Sequence, residues 1–272
     1  MWAPRRPRHT GTSNAKILGR AVNMGWLRKI LRKNQLARRV YCESFTLRYF
    51  WERMHLSAGK SFAQDGEDTK IKELIGEVRW FVDVGAHDGI SGSNTFYFAL
   101  RGARGLCFEP VRETFHKLRA LYRFDRRVRC RHAGISQASG SATIMAADFL
   151  SYLPETEDPV HTASSRDSFL AAPVPERITL LSFSDAIAGA ALPAEIDLLS
   201  IDVEGHELQV LQSVFATGLK SRCIVVETHL FDPQAQRWLW KHRDLEPIER
   251  LLASRGFKAA HQTSVNTIYL KK

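Results

Sequence analysis

No run of apolar residues in this sequence approaches the roughly twenty that a membrane-spanning helix requires, so an integral membrane protein is not expected. Cysteine is scarce. Cys42, Cys107, Cys130 and Cys223 share no short C-x-x-C spacing, which argues against a disulfide framework. Three of the four fall in segments that read as buried strands, where a reduced thiol packs as a small hydrophobe. No apolar signal core with a small-residue cleavage site is recognised, and these absences together point to a reducing, cytoplasmic setting. Acids are missing before Glu43, so the formal charge of +10 belongs to one end of the chain. Residues 1–60 hold 14 Lys and Arg against Glu43 and Glu52, a balance of +12; the remainder holds 25 basic and 27 acidic residues, a balance of −2. An enzyme that grips nucleic acid neutralises phosphates with Lys and Arg on the catalytic domain itself. This distribution argues against nucleic acid as a substrate.

A chain of 272 residues has room for one α/β domain with a sizeable core and an extension. The first fifteen residues, rich in Arg, Pro, Ser and Thr and without periodicity, read as disordered. From Lys16 to Lys33 the apolar Ile17, Ala21, Met24, Leu27 and Leu31 recur every three or four residues. Arg20, Arg28, Lys29, Arg32 and Lys33 lie mostly off that stripe, which predicts a basic amphipathic helix. With Trp26 it suits peripheral docking on an anionic membrane surface; lacking acids, it also suits organellar targeting. The plainer reading is a helix packed on its own domain. A second helix is expected over 45–56, giving a basic, partly disordered and helical leader at 1–56 and a catalytic domain at 57–272.

Beyond a short helix at 68–75, strands and helices alternate. Strands are expected at 79–84, 105–108, 128–133, 196–201 and 223–228, with a last one ending at 267–270; helices are expected at 93–101, 112–122, 206–215 and 245–255. This order implies an α/β fold with a mostly parallel central sheet and helices on both faces. The interval 136–183, holding Pro154, Pro159, Pro173 and Pro175, breaks the rhythm and reads as a small hairpin followed by a long loop. Long loops often carry lids or binding surfaces, so 148–177, with Tyr152, His161 and Arg166, is expected to help choose an acceptor.

The segment Trp80-Phe81-Val82-Asp83-Val84-Gly85-Ala86-His87-Asp88-Gly89 is an apolar strand running into a turn. Gly85 permits a sharp turn and close approach of a ligand, because it has no Cβ. The next strand, 105–108, ends in Glu109-Pro110, which places an acid where it can accept hydrogen bonds from the ribose hydroxyls of a nucleoside. The dinucleotide fingerprint G-x-G-x-x-G is absent, with His87 and Ile90 standing where it needs glycine. Asp83 and Asp88 flank the turn; they would repel a pyrophosphate and suit a cationic sulfonium and its amino group.

These residues, with Ile196-Asp197-Leu198-Leu199-Ser200-Ile201-Asp202-Val203-Glu204-Gly205-His206-Glu207 and Ser61-Phe62-Ala63-Gln64-Asp65-Gly66-Glu67-Asp68, resemble the FkbM family of S-adenosylmethionine-dependent methyltransferases over roughly 61–270. The resemblance implies a Rossmann-like methyltransferase fold and, usually, O-methylation of sugars, polyketides or other small or lipid-linked acceptors. By carry-over, Asp83, Gly85 and Glu109 bind the cofactor, with Ala86 and Asp88 in the same turn and Asn94 and Ala133 near it. The sequence departs from the family at Ser200, where many relatives have Lys, and at Ser184-Asp185, where Leu-Asp is usual.

Methyl transfer to oxygen needs a hydroxyl held in line with the departing sulfur and a group to take its proton. The strand at 196–201 delivers Asp202, Glu204 and His206 to the cofactor's edge of the sheet, and the neighbouring strand delivers Glu227 and His229. Asp202 and His206 are the preferred base or base-orienting residues, with Glu204 next. Glu204 could instead open the following helix, and His206 could be a surface residue of its first turn. An amine acceptor would use similar carboxylates. The same side chains could ligate a divalent metal, but no coordination spacing is fixed and no metal is assigned. Two other classes stand against the methyltransferase: a non-catalytic scaffold with this fold, which would show no turnover, and an NAD-dependent oxidoreductase, which the missing glycines oppose.

Overall fold

In a computed structural model of the protein, the described residues are 34–56, 59–146, 174–228, 230–232, 237–239 and 245–272. The expected helix at 16–33, the segment 147–173 with Tyr152, His161 and Arg166, and His229 lie outside them. The chain divides into a unit Met1–Tyr41 and a unit Cys42–Lys272. Every candidate site residue belongs to the second.

Helix α1 (Gln35–Met54) crosses that division, and α2 (Glu67–Ile75) follows it. The main sheet then builds from β1 (Trp80–Val84), β2 (Arg104–Phe108) and β3 (Val128–Arg131), with α3 (Phe96–Leu100) and α4 (Arg112–Leu121) between them. A small second sheet comprises β4 (Gly134–Ser136), β5 (Gly140–Ala146) and β6 (Val174–Ser182). After α5 (Phe183–Ile187) come β7 (Glu195–Ile201), α6 (Glu207–Ala216) and β8 (Lys220–Glu227). A short antiparallel pair, β9 (Leu230–Asp232) and β10 (Arg237–Leu239), precedes α7 (Leu245–Ser254), β11 (Phe257–Gln262) and β12 (Asn266–Lys271).

The seven-stranded sheet runs β11-β12-β8-β7-β1-β2-β3. Five strands are parallel, while β12 pairs antiparallel with β8 and β11 antiparallel with β12. This is the mostly parallel α/β architecture that the alternation implied and the Rossmann-like fold that the resemblance implied. Strands covered on both faces should be apolar throughout rather than alternating. Accordingly Phe81, Val82 and Val84 of β1, Ile196, Leu198, Leu199 and Ile201 of β7, and Cys223 to Val226 of β8 are almost fully buried. The chain lays down β1, β2 and β3 outward, then returns to place β7 on the other side of β1. Such a reversal opens a crevice at the carboxyl ends of the central strands.

The opposite edge is closed by one side chain. Asp197 accepts hydrogen bonds from the backbone N–H groups of Arg79 (2.8 Å) and Trp80 (3.0 Å), and Arg222 Nη1 lies 2.7 Å from its other oxygen. One carboxylate therefore ties the starts of β1, β7 and β8 together.

The part of α1 from Cys42 onward belongs to the sheet-bearing unit: Phe45 and Tyr49 are buried, Thr46 Oγ1 donates to the Ala120 carbonyl (2.6 Å), and Tyr49 donates to Asp125. The observed elements differ from the expected ones in several places. The interval 136–183 is not a small hairpin followed by a loop: β5 and β6, the arms of the antiparallel pair, flank the long segment. Pro175 fits in β6 because β4 pairs only from Leu180 onward, so the missing N–H faces no second strand. The helix expected at 93–101 is helical only from Phe96 to Leu100. Finally β11 was not foreseen; Lys258-Ala259-Ala260-His261 has little strand preference, and β11 is an edge strand held by β12 alone. No helix among the described residues is long and apolar enough to cross a membrane, and none of the four cysteines forms a disulfide.

Replacing Asp197 by Ala leaves two part-buried N–H donors and a half-exposed guanidinium without their acceptor, and is expected to cost about 1–3 kcal/mol in urea denaturation. The Arg222 guanidinium and the two N–H groups hold the Asp197 carboxyl below its usual value against the opposing effect of burial. Its contribution is therefore present above about pH 4 and lost as the pH falls through the lowered folded value. An Asp197→Ala protein whose midpoint matches the parent at pH 7 would contradict this account.

Candidate functional site

At the carboxyl end of β1 the chain must turn between two neighbours. The N–H groups of Gly85 and Ala86 both donate to the Phe108 carbonyl at 3.0 Å, and the Asp202 N–H donates to the Val84 carbonyl at 3.0 Å. Gly85 adopts φ 86°, and a Cβ placed there would collide with the carbonyl of Asp202. Only glycine satisfies both the torsion and the space. The next position without glycine, His87, nonetheless takes φ 48°. Asp88 closes the turn: its Oδ1 accepts from the N–H of Ile90 (2.9 Å) and Ser91 (2.8 Å), and its Oδ2 from the Ser91 hydroxyl (2.8 Å). Burial alone would raise the Asp88 carboxyl, but the neighbouring His87 and these donors hold it low. Asp88 thus shapes the loop by bonds within the turn.

Asp83 lies beneath the turn at 4% exposure. Its carboxyl accepts from Thr95 Oγ1 at 2.6 Å. Burial, reinforced by the charges of Asp202 and Glu109 and opposed by bonds from Thr95 and Ser200, pushes its pKa up to about 7. Register sets Asp83 beside Ser200 of β7, whose hydroxyl also accepts from Asn94 Nδ2 at 3.2 Å. The Oδ1 atom of Asn94 is buried and has no hydrogen-bond partner. Glu109, just past β2, accepts from the N–H groups of His87 (3.0 Å) and Val111 (2.8 Å) and from Thr114 Oγ1 (3.0 Å). A carboxylate offers about four lone-pair sites, so acceptor capacity remains. Burial raises the Glu109 carboxyl. Ala86 and Ala133, both buried, complete the residues singled out from the sequence; Ala133 directly precedes β4.

The second half of the site is acidic. After β7, Glu204 (φ 53°) and Gly205 (φ 102°) take successive left-handed conformations. Glu207 makes that loop possible, since its Oε1 accepts from the N–H groups of Val203 (3.1 Å) and Gly205 (3.2 Å). The helix-opening role considered for Glu204 therefore falls to Glu207. Asp202, Glu204 and, from the end of β8, Glu227 each bring a carboxylate oxygen within 4.8 Å of the others. Burial and then the charge of Glu207 push Asp202 up to about 6, with a bond from Glu227 opposing. Glu204 and Glu227 are raised further, first by burial; the charges of Asp202 and Glu207 then act on Glu204, and those of Glu204, Asp202 and Glu207 on Glu227.

The structure thus brings Asp202 and Glu204 together, adds Glu227, and turns His206 elsewhere: its Nε2 lies 3.0 Å from Ser136 Oγ on β4. At the family departure Ser184-Asp185, Ser182 caps α5 by accepting from the Asp185 N–H (3.1 Å), and the Asp185 carboxylate accepts from the Ser139 hydroxyl. Sequence reasoning assigned no role to Glu67. It is fully buried and accepts from Thr263 Oγ1 (2.7 Å), Asn266 Nδ2 (2.9 Å) and the Asp65 N–H (2.9 Å), joining α2 to the start of β12. Its place in the Gly66-Glu67-Asp68 motif was the available signal.

The model of the Methyltransferase FkbM domain matches residues 83–259. No curated protein matches the chain. Among solved structures, the chain is similar to the methyltransferase FkbM from Methylobacillus flagellatus KT, at 14% identity and TM-score 0.43, covering 71% of this chain and 43% of that one. It is also similar to magnesium protoporphyrin IX methyltransferase from Synechocystis PCC 6803 with bound SAM, at 10% identity and TM-score 0.39, covering 97% of this chain and all of that one.

The contact between the Gly85 turn and Asp202 predicts the outcome of a minimal substitution. Gly85→Ala adds a Cβ against a backbone carbonyl at positive φ, and is expected to lower the unfolding midpoint by the equivalent of about 1–3 kcal/mol or more. An Ala variant with parental stability in thermal unfolding would show that the two strand ends separate freely.

Proposed function

Given that the chain belongs to the FkbM methyltransferase domain family, which matches more than half of it, we propose that it is an S-adenosylmethionine-dependent O-methyltransferase. Its acceptor in this reading is a hydroxyl of a sugar, lipid-linked or other small molecule. The observation that carries the reading is the juxtaposition, across the β1–β7 switch point, of a glycine-lined turn and a group of carboxylates.

The residues present fit the cofactor. Glu109 keeps unused lone pairs at the end of β2, and the Asn94 Oδ1 atom is a buried acceptor in need of a donor. When bound, S-adenosylmethionine supplies a methyl group activated on a sulfonium. Glu109 receives ribose hydroxyls, Asn94 and Ala133 line the site, and Asp83 opposes the cofactor's positive charge. Asp88 serves by closing the turn onto Ile90 and Ser91. With the cofactor bound, an acceptor hydroxyl on the Asp202 side would give its proton to a carboxylate oxygen of this group, while the methyl group would leave the sulfonium as its carbon–sulfur bond breaks to a neutral thioether. Positioning by the rigid strand ends supplies much of the remaining rate.

Calorimetric titration tests this reading: micromolar binding of S-adenosylmethionine and none of NAD is expected, with Glu109→Ala weakening binding at least tenfold. Binding of NAD alone would overturn it. The pKa of Asp83 adds a sign. Below about pH 7 its carboxyl is neutral, and above it the carboxylate attracts a cationic ligand. Affinity should therefore rise up to about tenfold from pH 6 to 8, and Asp83→Asn should flatten that dependence. In the cofactor-free protein the same raised value works against stability: Asp83's contribution is full below about pH 4 and lost as the pH rises through about 7.

The proposed setting is the cytoplasmic face of an anionic membrane, contacted peripherally through residues 16–33. The +12 balance of residues 1–60 supports this, as does the exposure of Leu47, Phe50, Trp51 and Met54 on α1. Changing Arg20, Arg28, Lys29, Arg32 and Lys33 to Gln should reduce co-sedimentation with phosphatidylserine vesicles; unchanged binding would remove the leader from this role.

A further inference from the structure

Three carboxylates with oxygens within 4.8 Å of one another, Glu227 buried and Asp202 and Glu204 half-buried, repel one another where water screens them poorly. Proteins relieve such a group with a basic side chain or a bound cation. Among the described residues no Lys or Arg forms an ion pair with Asp202, Glu204 or Glu227, and the charges of Glu67 and Glu207 add to the repulsion felt by Asp202. A second observation is independent of their closeness. Glu227 is 5% exposed, and its Oε2 atom is buried with no hydrogen-bond partner; the Oε2 atom of Glu204 is in the same condition. A buried oxygen left without a donor carries its full desolvation cost, and native proteins rarely leave one so.

We infer that Asp202, Glu204 and Glu227 bind a divalent cation of the hard, oxygen-seeking class: Mg²⁺, Mn²⁺ or Ca²⁺. Among the described residues the donors are all carboxylate oxygens, with no imidazole or thiolate in the group, a set that suits hard cations rather than Zn²⁺. They are also held in advance. Asp202 and Glu227 stand at the ends of adjacent parallel strands, while Glu204 is fixed by a left-handed backbone that Glu207 braces from below. Three protein ligands leave about three of six coordination positions open to water or to an oxygen of the acceptor. The Asp202 carbonyl packs against Gly85, so the cation borders the cofactor turn. This inference rests on the methyltransferase reading of the site and narrows the acceptor to one that presents a ligating oxygen. A hydroxyl on such a cation loses its proton more readily, and the carboxylate oxygens not used as ligands remain to receive it.

The test uses the full chain, stripped with EDTA and titrated with MnCl₂ alone by calorimetry and by loss of the free Mn²⁺ electron paramagnetic resonance signal; S-adenosylmethionine is titrated separately. One saturable Mn²⁺ site is expected, displaced by excess Mg²⁺ or Ca²⁺ and weakened at least tenfold in Glu227→Gln. Glu204 lies on a loop rather than inside the sheet, so Glu204→Gln supplies the same readout if the Glu227 variant does not fold. Normal S-adenosylmethionine binding without Mn²⁺ binding, or parental Mn²⁺ affinity in the folded variants, would overturn the cation site and leave the methyltransferase reading standing. Mn²⁺ binding without S-adenosylmethionine binding would do the reverse.

Discussion

Parallel strands that leave a sheet on opposite sides of a switch point usually diverge, and the crevice between them is where open α/β folds bind ligands. Here the crevice floor is pinched. The Val84 carbonyl accepts from the Asp202 N–H, and the Asp202 carbonyl lies against the α-carbon of Gly85. Because these backbone atoms touch, the turn that holds cofactor-type residues and the loop that holds the carboxylates share one rigid base. Everything proposed for the site depends on that contact: Asp83 below it, Glu109 bonded across to His87, and Asp202, Glu204 and Glu227 beyond it.

The two edges of the sheet handle buried charge in opposite ways. At the amino edge each buried acid has a cation. Asp197 is paired with Arg222, and Asp125 with Arg127, whose Nη2 lies 2.7 Å away. At the carboxyl edge Asp83, Glu109, Asp202, Glu204 and Glu227 are held by backbone N–H groups, hydroxyls or one another. Pairing lowers the carboxyls of the first group, while burial raises those of the second. A fold selected for stability alone would not keep that second arrangement, because isolated buried acids cost several kcal/mol unless something positive completes them. The asymmetry separates an edge that closes the structure from an edge that awaits ligands.

How much of this was legible in the sequence follows from the range of the interactions. Continuous apolar runs marked the central strands because both faces of a parallel sheet are covered, and each strand end then delivered Asp83, Glu109 and Asp202 to the same edge. Roles set by distant partners left no local trace. Nothing near His206 announces that Ser136 will sit 3.0 Å from its ring, and nothing near Glu67 announces Asn266. Asp88 is a different case. Its bonds run two and three residues ahead, the pattern by which Asp closes its own turn, so spacing alone could have separated its shaping role from a direct cofactor contact. Glu204 and Glu207 were harder to tell apart. Both are acids at a helix start, and the left-handed backbone at Glu204 is one that a non-glycine residue seldom adopts.

Ser200 shows how a single departure from the family pattern can change the electrostatics of the whole edge. Register places it beside Asp83 on the neighbouring strand. A lysine there would set a fixed positive charge next to the Asp83 carboxylate and keep it ionised at every physiological pH. A serine hydroxyl donates one hydrogen bond and brings no charge, while its oxygen accepts from Asn94 Nδ2. Burial then prevails, and Asp83 rises to about 7. The positive charge that favours ionisation must therefore arrive with a ligand. In such a site, binding a cationic cofactor and ionising Asp83 become a single coupled step, because each favours the other to the same extent.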